Sequence, residues 1–258
     1  MAADYLYKDL GYRHVTVLAN DYAFGWLSAG GFIKRFTMLG GKIDKVLWPP
    51  LTATDYGPYV SGIPKNTQAV YAETVGAAGP IFTKAYAQFG LRGKIPLYGV
   101  TNLFDYSVLP AMNPSDVLGD QMSAQYCDGI NTPANNKFVS LFDKTYHTHP
   151  GYYAEAAYVH AELAVAALKR LNGNATNPAA VAHALETTPI VAPRGPVRLS
   201  SVVDSPIQNI YICKVENVHG TISAVPIKTY AAMQPWGTLP YKTWQVEYAT
   251  DSVGRPSP

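Results

Sequence analysis

The sequence predicts an α/β protein built around a doubly wound parallel sheet, and two observations support this. Residues 11–43 carry the pattern of a strand, a loop, a helix and a second strand, which is the βαβ unit whose crossover is almost always right-handed. Residues 68–72 and 95–98 are short apolar runs that each follow a helical pattern. Strands that alternate with helices in this way are typical of a parallel sheet with helices on its faces.

The first βαβ unit is the most clearly defined part of the sequence. Residues 14–18 are an apolar run rich in β-branched side chains, which predicts a buried strand. Apolar residues then recur at helical spacing over residues 26–39, and the glycine pair that follows ends that helix. Residues 42–48 form the second strand. Because ligands of such sheets bind beyond the carboxyl ends of the strands, the loop at residues 20–25 is the first candidate for function.

The other elements of the first half continue this alternation. A helix is predicted before the first strand, and another begins near Asp55, which would occupy its first turn. Pro80 suits the first turn of a helix that Gly90 ends. The predicted elements are helices at 2–10, from 52 and at 81–89, strands at 68–72 and 95–98, and loops at 73–79 and 99–104 after those strands.

The second half has a different character. A polar stretch with a proline, residues 131–136, is a candidate linker or hinge. Two amphipathic patterns follow it, and the longer of the two is strongly helical. The predicted elements are a strand within 117–126, helices at 137–146, 152–171 and 178–186, strands at 195–199 and 208–215, and a tail that lacks periodicity after residue 236.

Composition and charge exclude several classes of protein. Hydrophobic residues make up 48% and charged residues 15% of the 258 residues, which indicates a globular chain. With 20 basic and 18 acidic residues and no basic run, nothing suits nucleic acid or an anionic membrane. No apolar stretch is long enough for a transmembrane helix, and we expect no signal peptide at the N-terminus. Cys127 and Cys213 could pair in an oxidising compartment, which the sequence leaves open.

No motif predicts an enzyme, a cofactor or a metal site. The nucleophile elbow, the P-loop and the dinucleotide-binding glycine pattern are all absent from the sequence. The six histidines are scattered, except that His147 and His149 are close together in a polar loop. A zinc site there would need further ligands. We therefore expect a protein that is not an enzyme and that has no cofactor.

Five segments of the sequence are distinctive when they are taken together and in order. They are VTVLANDYAFGWLSAGGF, GGKIDKVLWPPLTATDY, QFGLRGKIPLYG, SLFDKTYHTHPGYYAEAAYVHAELAVAALKRLNG and APRGPVRLS. In this order they resemble the type I periplasmic solute-binding proteins of the branched-chain amino acid class, which are Leu/Ile/Val-binding-like proteins of ABC transporters. Each segment alone is weakly specific, but their order is that of the family and they extend across residues 5–215.

The resemblance implies a periplasmic-binding-protein type I fold, in which each lobe has a flavodoxin-like parallel sheet. Residues 1–129 and 204–236 would form one nearly complete lobe, lobe 2, and residues 130–203 would form part of lobe 1. Residues 237–258 would be a C-terminal tail. Since family members open with a signal peptide and the N-terminal part of lobe 1, we expect this part to be missing here. That segment or another chain would then cover residues 130–203.

The resemblance also implies a function. The protein would be the periplasmic solute-binding component of an ABC transporter, which captures a small organic ligand by Venus-flytrap closure of two lobes and delivers it to the transporter permease. A ligand-sensing regulatory domain of the same fold is the alternative. A flavodoxin-like enzyme is a third possibility.

The family's ligand contacts fall in the loops at residues 20–25, 73–77 and 99–104. Thr101 lies where amino-acid binders place a carboxylate that faces the ligand ammonium, and threonine cannot pair that charge. Glu73 could substitute if it reached the cleft, and would then permit an amino-acid-like ligand. Otherwise we expect an aromatic or aliphatic carboxylate, packed on Phe24. The ligand-binding candidates are Tyr22, Phe24, Glu73, Thr74, Val75 and Thr101.

Overall fold

The computed structural model describes residues 1–247, which contain one nine-stranded mixed sheet. Its strands are β1 (His14–Ala19), β2 (Lys42–Leu47), β3 (Ala69–Glu73), β4 (Leu97–Val100), β5 (Gln121–Ala124), β6 (Ile190–Ala192), β7 (Gly195–Leu199), β8 (Pro206–Val218) and β9 (Thr221–Met233). The first five pair in parallel in the order β2-β1-β3-β4-β5. Strands β8, β7 and β6 continue the sheet in antiparallel pairs, and β9 pairs with β8. The predicted α/β class with a mostly parallel sheet is confirmed.

Five longer helices accompany the sheet in the described part of the chain. They are α1 (Ala23–Met38), α2 (Ala78–Gln88), α3 (Pro133–Tyr146), α4 (Tyr152–Arg170) and α5 (Pro178–Thr187). Shorter helical segments are Ala2–Asp4, the π-helical Tyr5–Asp9, Gly57–Ser61, Thr101–Phe104, the 3₁₀ turn Leu109–Ala111, Pro114–Val117 and Tyr241–Glu247. None of the helices within residues 1–247 is long and apolar enough to cross a membrane.

The parallel strands are buried on both faces because a helix layer covers each side. On one face, Tyr71 of β3 stacks against Phe32 of α1 with ring centroids 3.9 Å apart. On the other face, Val70 and Leu18 belong to a second core cluster with Phe82 of α2. Alternation along each strand therefore sends side chains into two separate cores.

A third, smaller core joins α4 to the antiparallel end of the sheet. Val159 and Leu163 of α4 pack with Ala192 and Val197. Beside them, Glu155 is completely enclosed and accepts hydrogen bonds from the Arg194 side chain, with Nε at 3.0 and 2.9 Å from the two carboxylate oxygens. This ion pair fastens the start of α4 to the turn between β6 and β7.

The two cysteines are joined. Cys127, just after β5, forms a disulfide with Cys213 on β8, across 86 residues of sequence. Both residues are buried in the core cluster on the α2 face of the sheet. The bond links the parallel and antiparallel parts of the sheet, and it answers the question that the sequence left open.

Several element boundaries differ from the prediction. The helix expected from residue 52 begins only at Gly57, because Asp55 Oδ1 accepts a hydrogen bond from Gly57 N (2.8 Å) and forms a turn before the helix. The polar stretch at residues 131–136 belongs mostly to α3, which starts at Pro133 with Thr132 as its capping residue. Strand β9 was not predicted at all. The predicted tail, residues 237–258, contains the short helix Tyr241–Glu247, and residues 248–258 lie outside the described residues.

Candidate functional site

The carboxyl ends of β1, β3 and β4 meet at one edge of the sheet, and Asn20 connects two of the loops there. Its backbone N donates a hydrogen bond to the Glu73 carbonyl (3.1 Å), and its Oδ1 accepts one from Val75 N (3.1 Å). Its Nδ2 donates to the Tyr56 hydroxyl at 2.9 Å. Asn20 is itself completely buried. The loops after β1 and β3 are therefore held as one unit, by a residue that the sequence did not single out as part of the site.

Aromatic rings cover the first turn of α1. Tyr22 is the capping residue before this helix, and its ring lies 6.2 Å from that of Phe24. Phe24 is 45% exposed, so it lies on the protein surface and not in the core. Its place at this edge is compatible with the predicted contact with a ligand ring, which stays a prediction.

Gly25 is required in this turn because no side chain fits there. A Cβ atom at Gly25 would lie 2.0 Å from the Asn20 carbonyl oxygen and 3.1 Å from Glu73 Oε2. The glycine thus lets the helix start lie directly against the end of β3. This explains physically why a glycine follows the aromatic pair in the sequence.

Glu73 lies beneath the surface rather than on it. Its exposed fraction is 0%, and neither carboxyl oxygen has a hydrogen-bond partner in the part of the chain that the structure describes. Burial raises the pKa of Glu73 to about 7, against the smaller opposing effect of the backbone hydrogen bond with Asn20. The carboxyl group is therefore largely neutral below pH 7. It does not reach a cleft in this conformation.

The remaining predicted residues lie at the same edge with little exposure. Thr74 is fully buried, and its hydroxyl has no partner among the described residues, while Val75 is half-buried. Thr101 is 7% exposed and donates a hydrogen bond to Gln125 Oε1 at 3.1 Å. Gln125 in turn donates to the Tyr152 hydroxyl at 3.1 Å. Thr101 thus connects the edge to the start of α4.

Tyr153 is a candidate site residue that the sequence analysis missed. It lies in the first turn of α4, is 60% exposed, and its hydroxyl donates to Asn102 Oδ1 at 3.1 Å. Burial is the main cause that raises the pKa of Tyr22, and the charges of Glu73 and Tyr153 add to it. The Tyr-Tyr pair after Pro150 was the available signal. We call Tyr22, Phe24 and Tyr153 the aromatic edge.

The start of α4 is fixed by Asp105. Its Oδ1 accepts a hydrogen bond from Tyr152 N at 2.6 Å, and its Oδ2 accepts one from Ser107 N at 3.0 Å. Asp105 is buried at the end of the segment that follows β4. It holds Tyr153 beside the loop after β4, although about fifty residues separate them in sequence.

The described residues contain no group of three His, Cys, Asp or Glu side chains able to hold a metal ion. His149 lies between two carboxylates, with Nδ1 at 3.5 Å from Asp143 Oδ1 and Nε2 at 4.0 Å from Asp128 Oδ2. Its two ring nitrogens point to different carboxylates, so the three groups do not converge on one point. His147 adds no ligand to them.

Comparison with known proteins gives a consistent set of matches. The sequence model of a family described as periplasmic binding proteins matches residues 1–220. An ABC transporter substrate-binding protein from Sphaerobacter thermophilus is 30% identical, with a TM-score of 0.85, and the match covers 90% of this chain and 64% of that one. No curated protein sequence matches the chain.

Two further solved structures are solute-binding proteins of ABC transporters from Rhodopseudomonas palustris. One, from strain BisB5 in complex with 3,4-dihydroxybenzoic acid, is 28% identical with a TM-score of 0.82, and covers 90% of this chain and 64% of that one. The other, from strain HaA2 in complex with p-hydroxybenzoic acid, is 26% identical with a TM-score of 0.83, and covers 92% and 65%. The chain therefore spans somewhat less than two thirds of the length of these structures.

Proposed function

The chain belongs to the periplasmic binding protein family, and from this premise we propose that it captures a small organic acid in the periplasm for an ABC transporter permease. The observation that carries the proposal is the aromatic edge at the carboxyl ends of the parallel strands. Tyr22, Phe24 and Tyr153 offer ring faces and hydroxyl groups there. Such a surface suits a flat ligand, and favours binding over catalysis.

The ligand class follows from the charges at this edge. On the family resemblance, Thr101 stands where a ligand ammonium would need a carboxylate. Glu73 is enclosed and largely neutral below pH 7. An ammonium group left unpaired in a closed cleft would cost several kcal/mol. We therefore propose a ligand without an α-ammonium group, with an aromatic carboxylate as the leading class. The two relatives in complex with hydroxylated benzoic acids support this class.

The lobe division remains part of the proposal. Residues 1–129 and 204–236 would form one lobe and residues 130–203 would belong to the other, with hinge closure around the ligand. Exposed apolar side chains on α4 and β6, among them Val165 (49%), Leu168 (39%) and Val191 (73%), support the proposal that further protein covers residues 130–203. Single exposed apolar residues are ordinary, but a group on one face indicates a contact surface.

Ligand titration tests the proposal. Isothermal titration calorimetry and thermal shift would compare benzoate, 4-hydroxybenzoate and 3,4-dihydroxybenzoate with leucine and valine. We expect the aromatic acids to bind and the amino acids not to. Phe24→Ala should weaken binding by about 1–3 kcal/mol, because the ring face is lost, whereas Tyr22→Phe should change little.

Phe89 provides a matched control for the Phe24 variant. It is 50% exposed and follows the end of α2, at the opposite edge of the sheet from the aromatic edge. Phe89→Ala should leave the affinity unchanged. Stabilisation by leucine or valine that disappears in Glu73→Gln would show instead that Glu73 turns into the cleft and pairs an ammonium group, which would replace the proposed ligand class.

A further inference from the structure

We propose that Glu73 is a positioning residue of the ligand site. When its carboxyl group is protonated, the first turn of α1 lies on β3, and when the carboxyl group is ionised, that turn is displaced. The inference rests on the proposed function, because the displaced turn carries Tyr22 and Phe24. It assigns Glu73 a role beneath the site, in place of the direct ligand contact expected from the sequence. Binding of an anionic ligand then depends on one proton.

The first supporting observation is that the Glu73 carboxyl group has no partner. Among the carboxyl residues that are buried as a whole in the described part of the chain, the others are satisfied by neighbouring donors, whereas two partly exposed residues, Asp143 and Glu162, each have one oxygen without a hydrogen-bond partner. Asp4 accepts from Arg35 and Lys8, Asp105 from Tyr152 and Ser107, Asp128 from Ser223 and Ala224, and Glu155 from Arg194. An unsatisfied buried polar group in a native structure requires an explanation, and a functional role is a common one.

The second observation is the contact with the helix start. Glu73 Oε2 lies 3.1 Å from the position that a Cβ atom of Gly25 would occupy. Gly25 follows Phe24 directly and is three residues from Tyr22. If the Glu73 carboxyl group ionised and became hydrated, this turn would therefore have to move away from it.

The third observation is the set of groups that face Glu73. Its charge contributes to raising the pKa of Tyr22 before α1, of Tyr56 before the helix Gly57–Ser61, and of Tyr71 on β3, although burial is the larger cause for each. After β1, the Asn20 backbone N donates to the Glu73 carbonyl oxygen, and its effect on the carboxyl group lowers the pKa of Glu73 by less than burial raises it. These neighbours are phenols and an amide, and none of them is a cation that could stabilise the carboxylate. The pKa near 7 agrees with this geometry.

The direction in which pH changes the ligand affinity follows from these contacts. An anionic ligand at the aromatic edge disfavours ionised Glu73, so the pKa of Glu73 is higher in the complex than in the free protein. The complex therefore holds more protons near neutral pH, and affinity falls as the pH rises through about 7. A cationic ligand would give the opposite slope.

Calorimetry with 4-hydroxybenzoate at pH 6 and pH 8 measures this directly, since its carboxylate stays ionised and its phenol neutral over that range. Because about one tenth of a group with a pKa near 7 is protonated at pH 8, we expect roughly tenfold weaker binding there than at pH 6. Titrations in buffers of different ionisation enthalpy should show proton uptake on binding. Glu73→Gln should bind at both pH values as the wild type does at pH 6.

Asp120 provides the matched control. Burial also raises its pKa to about 7, but it precedes β5 at the amino edge of the sheet, where Arg92 Nη1 lies 3.8 Å away. Asp120→Asn should keep the wild-type pH dependence of binding. If Glu73→Gln shows the same pH dependence as the wild type, or if affinity is equal at both pH values in the wild type, the inference is wrong.

A ligand-free measurement separates this inference from the proposed function. Trp26 lies on the same helix start and donates from Nε1 to Asp21 at 2.8 Å, so its share of the fluorescence from the four tryptophans reports the position of the turn. We expect a fluorescence change with a midpoint near pH 7 in the wild type and none in Glu73→Gln. If this change occurs but no aromatic acid binds at either pH, the proposed ligand is wrong and the positioning role stands. If the wild type shows no such fluorescence change, the proposed positioning role of Glu73 is wrong.

Discussion

Replacing Arg194 by methionine tests how the start of α4 is held to the turn between β6 and β7. Glu155 is completely enclosed, and Arg194 is only 6% exposed. The Arg194 side chain donates to both carboxylate oxygens of Glu155 and also to Gln208 Oε1 (2.8 Å). Removing the guanidinium would leave a buried carboxylate with the Arg194 backbone N as its remaining donor. Breaking a buried ion pair in this way typically costs about 3–5 kcal/mol.

Urea denaturation at pH 7 would measure the change in the free energy of unfolding. We expect Arg194→Met to lower it by about 3–5 kcal/mol, and the double variant with Glu155→Met to recover most of that loss, since two apolar side chains can replace a buried pair at little cost. Lys214 and Glu216 form an exposed pair at 2.6 Å, both more than one third exposed. Lys214→Met should therefore cost no more than about 1 kcal/mol.

The double-mutant cycle gives a clear criterion. If Arg194→Met costs no more than the exposed control, the pair does not hold α4 to the turn between β6 and β7. If the double variant is as unstable as the single one, the loss comes from packing of the arginine stem and not from the unpaired carboxylate. Either result would contradict an electrostatic origin of the lost stability.

Two further predictions concern stability. Replacing Cys127 and Cys213 by alanine should lower the free energy of unfolding by about 4–5 kcal/mol on the chain-entropy model, because the bond closes 86 residues; a loss below about 1 kcal/mol would contradict this. Glu73 has a pKa near 7 when folded against an ordinary 4.5, so its favourable contribution is lost as the pH rises through 7. Between pH 5 and pH 8 the wild type should lose on the order of 2–3 kcal/mol more than Glu73→Gln, measured by urea denaturation; equal losses would contradict it.

The sequence predicted the parallel half of the sheet well because its strands are buried on both faces. Strands such as β1 and β3 are continuous apolar runs, which need no partner to be recognised. The antiparallel strand β9 was missed because Pro226 interrupts its alternation. The available signal was the two-residue turn His219–Gly220, where both residues have positive φ (51° and 91°), as a tight hairpin requires.

The residues of the candidate site could be located from the sequence only in part, for a different reason. Loops after parallel strands can be located from the strands. Residues 20–25 and 73–77 were therefore predicted at the carboxyl edge of the sheet, where the structure has them. The burial of Glu73 depends on the alternation of side chains along β3. Glu73 lies on the same face of the strand as Tyr71, and α1 covers that face. Tyr153 depends on a contact between segments far apart in sequence, which no local pattern reports.

The burial of Glu73 and the exposure of Phe24 have one structural cause. Asn20 joins the loops after β1 and β3, and Gly25 lets α1 begin directly on the end of β3. A helix that starts so close to the sheet leaves no room for water around the carboxyl group below it, while the ring above it must face outward. The exposure of the aromatic surface and the burial of the carboxyl group beneath it therefore both depend on the position of this turn. A change that loosens this turn should affect both properties together, so ligand affinity and the pKa of Glu73 are expected to vary in parallel.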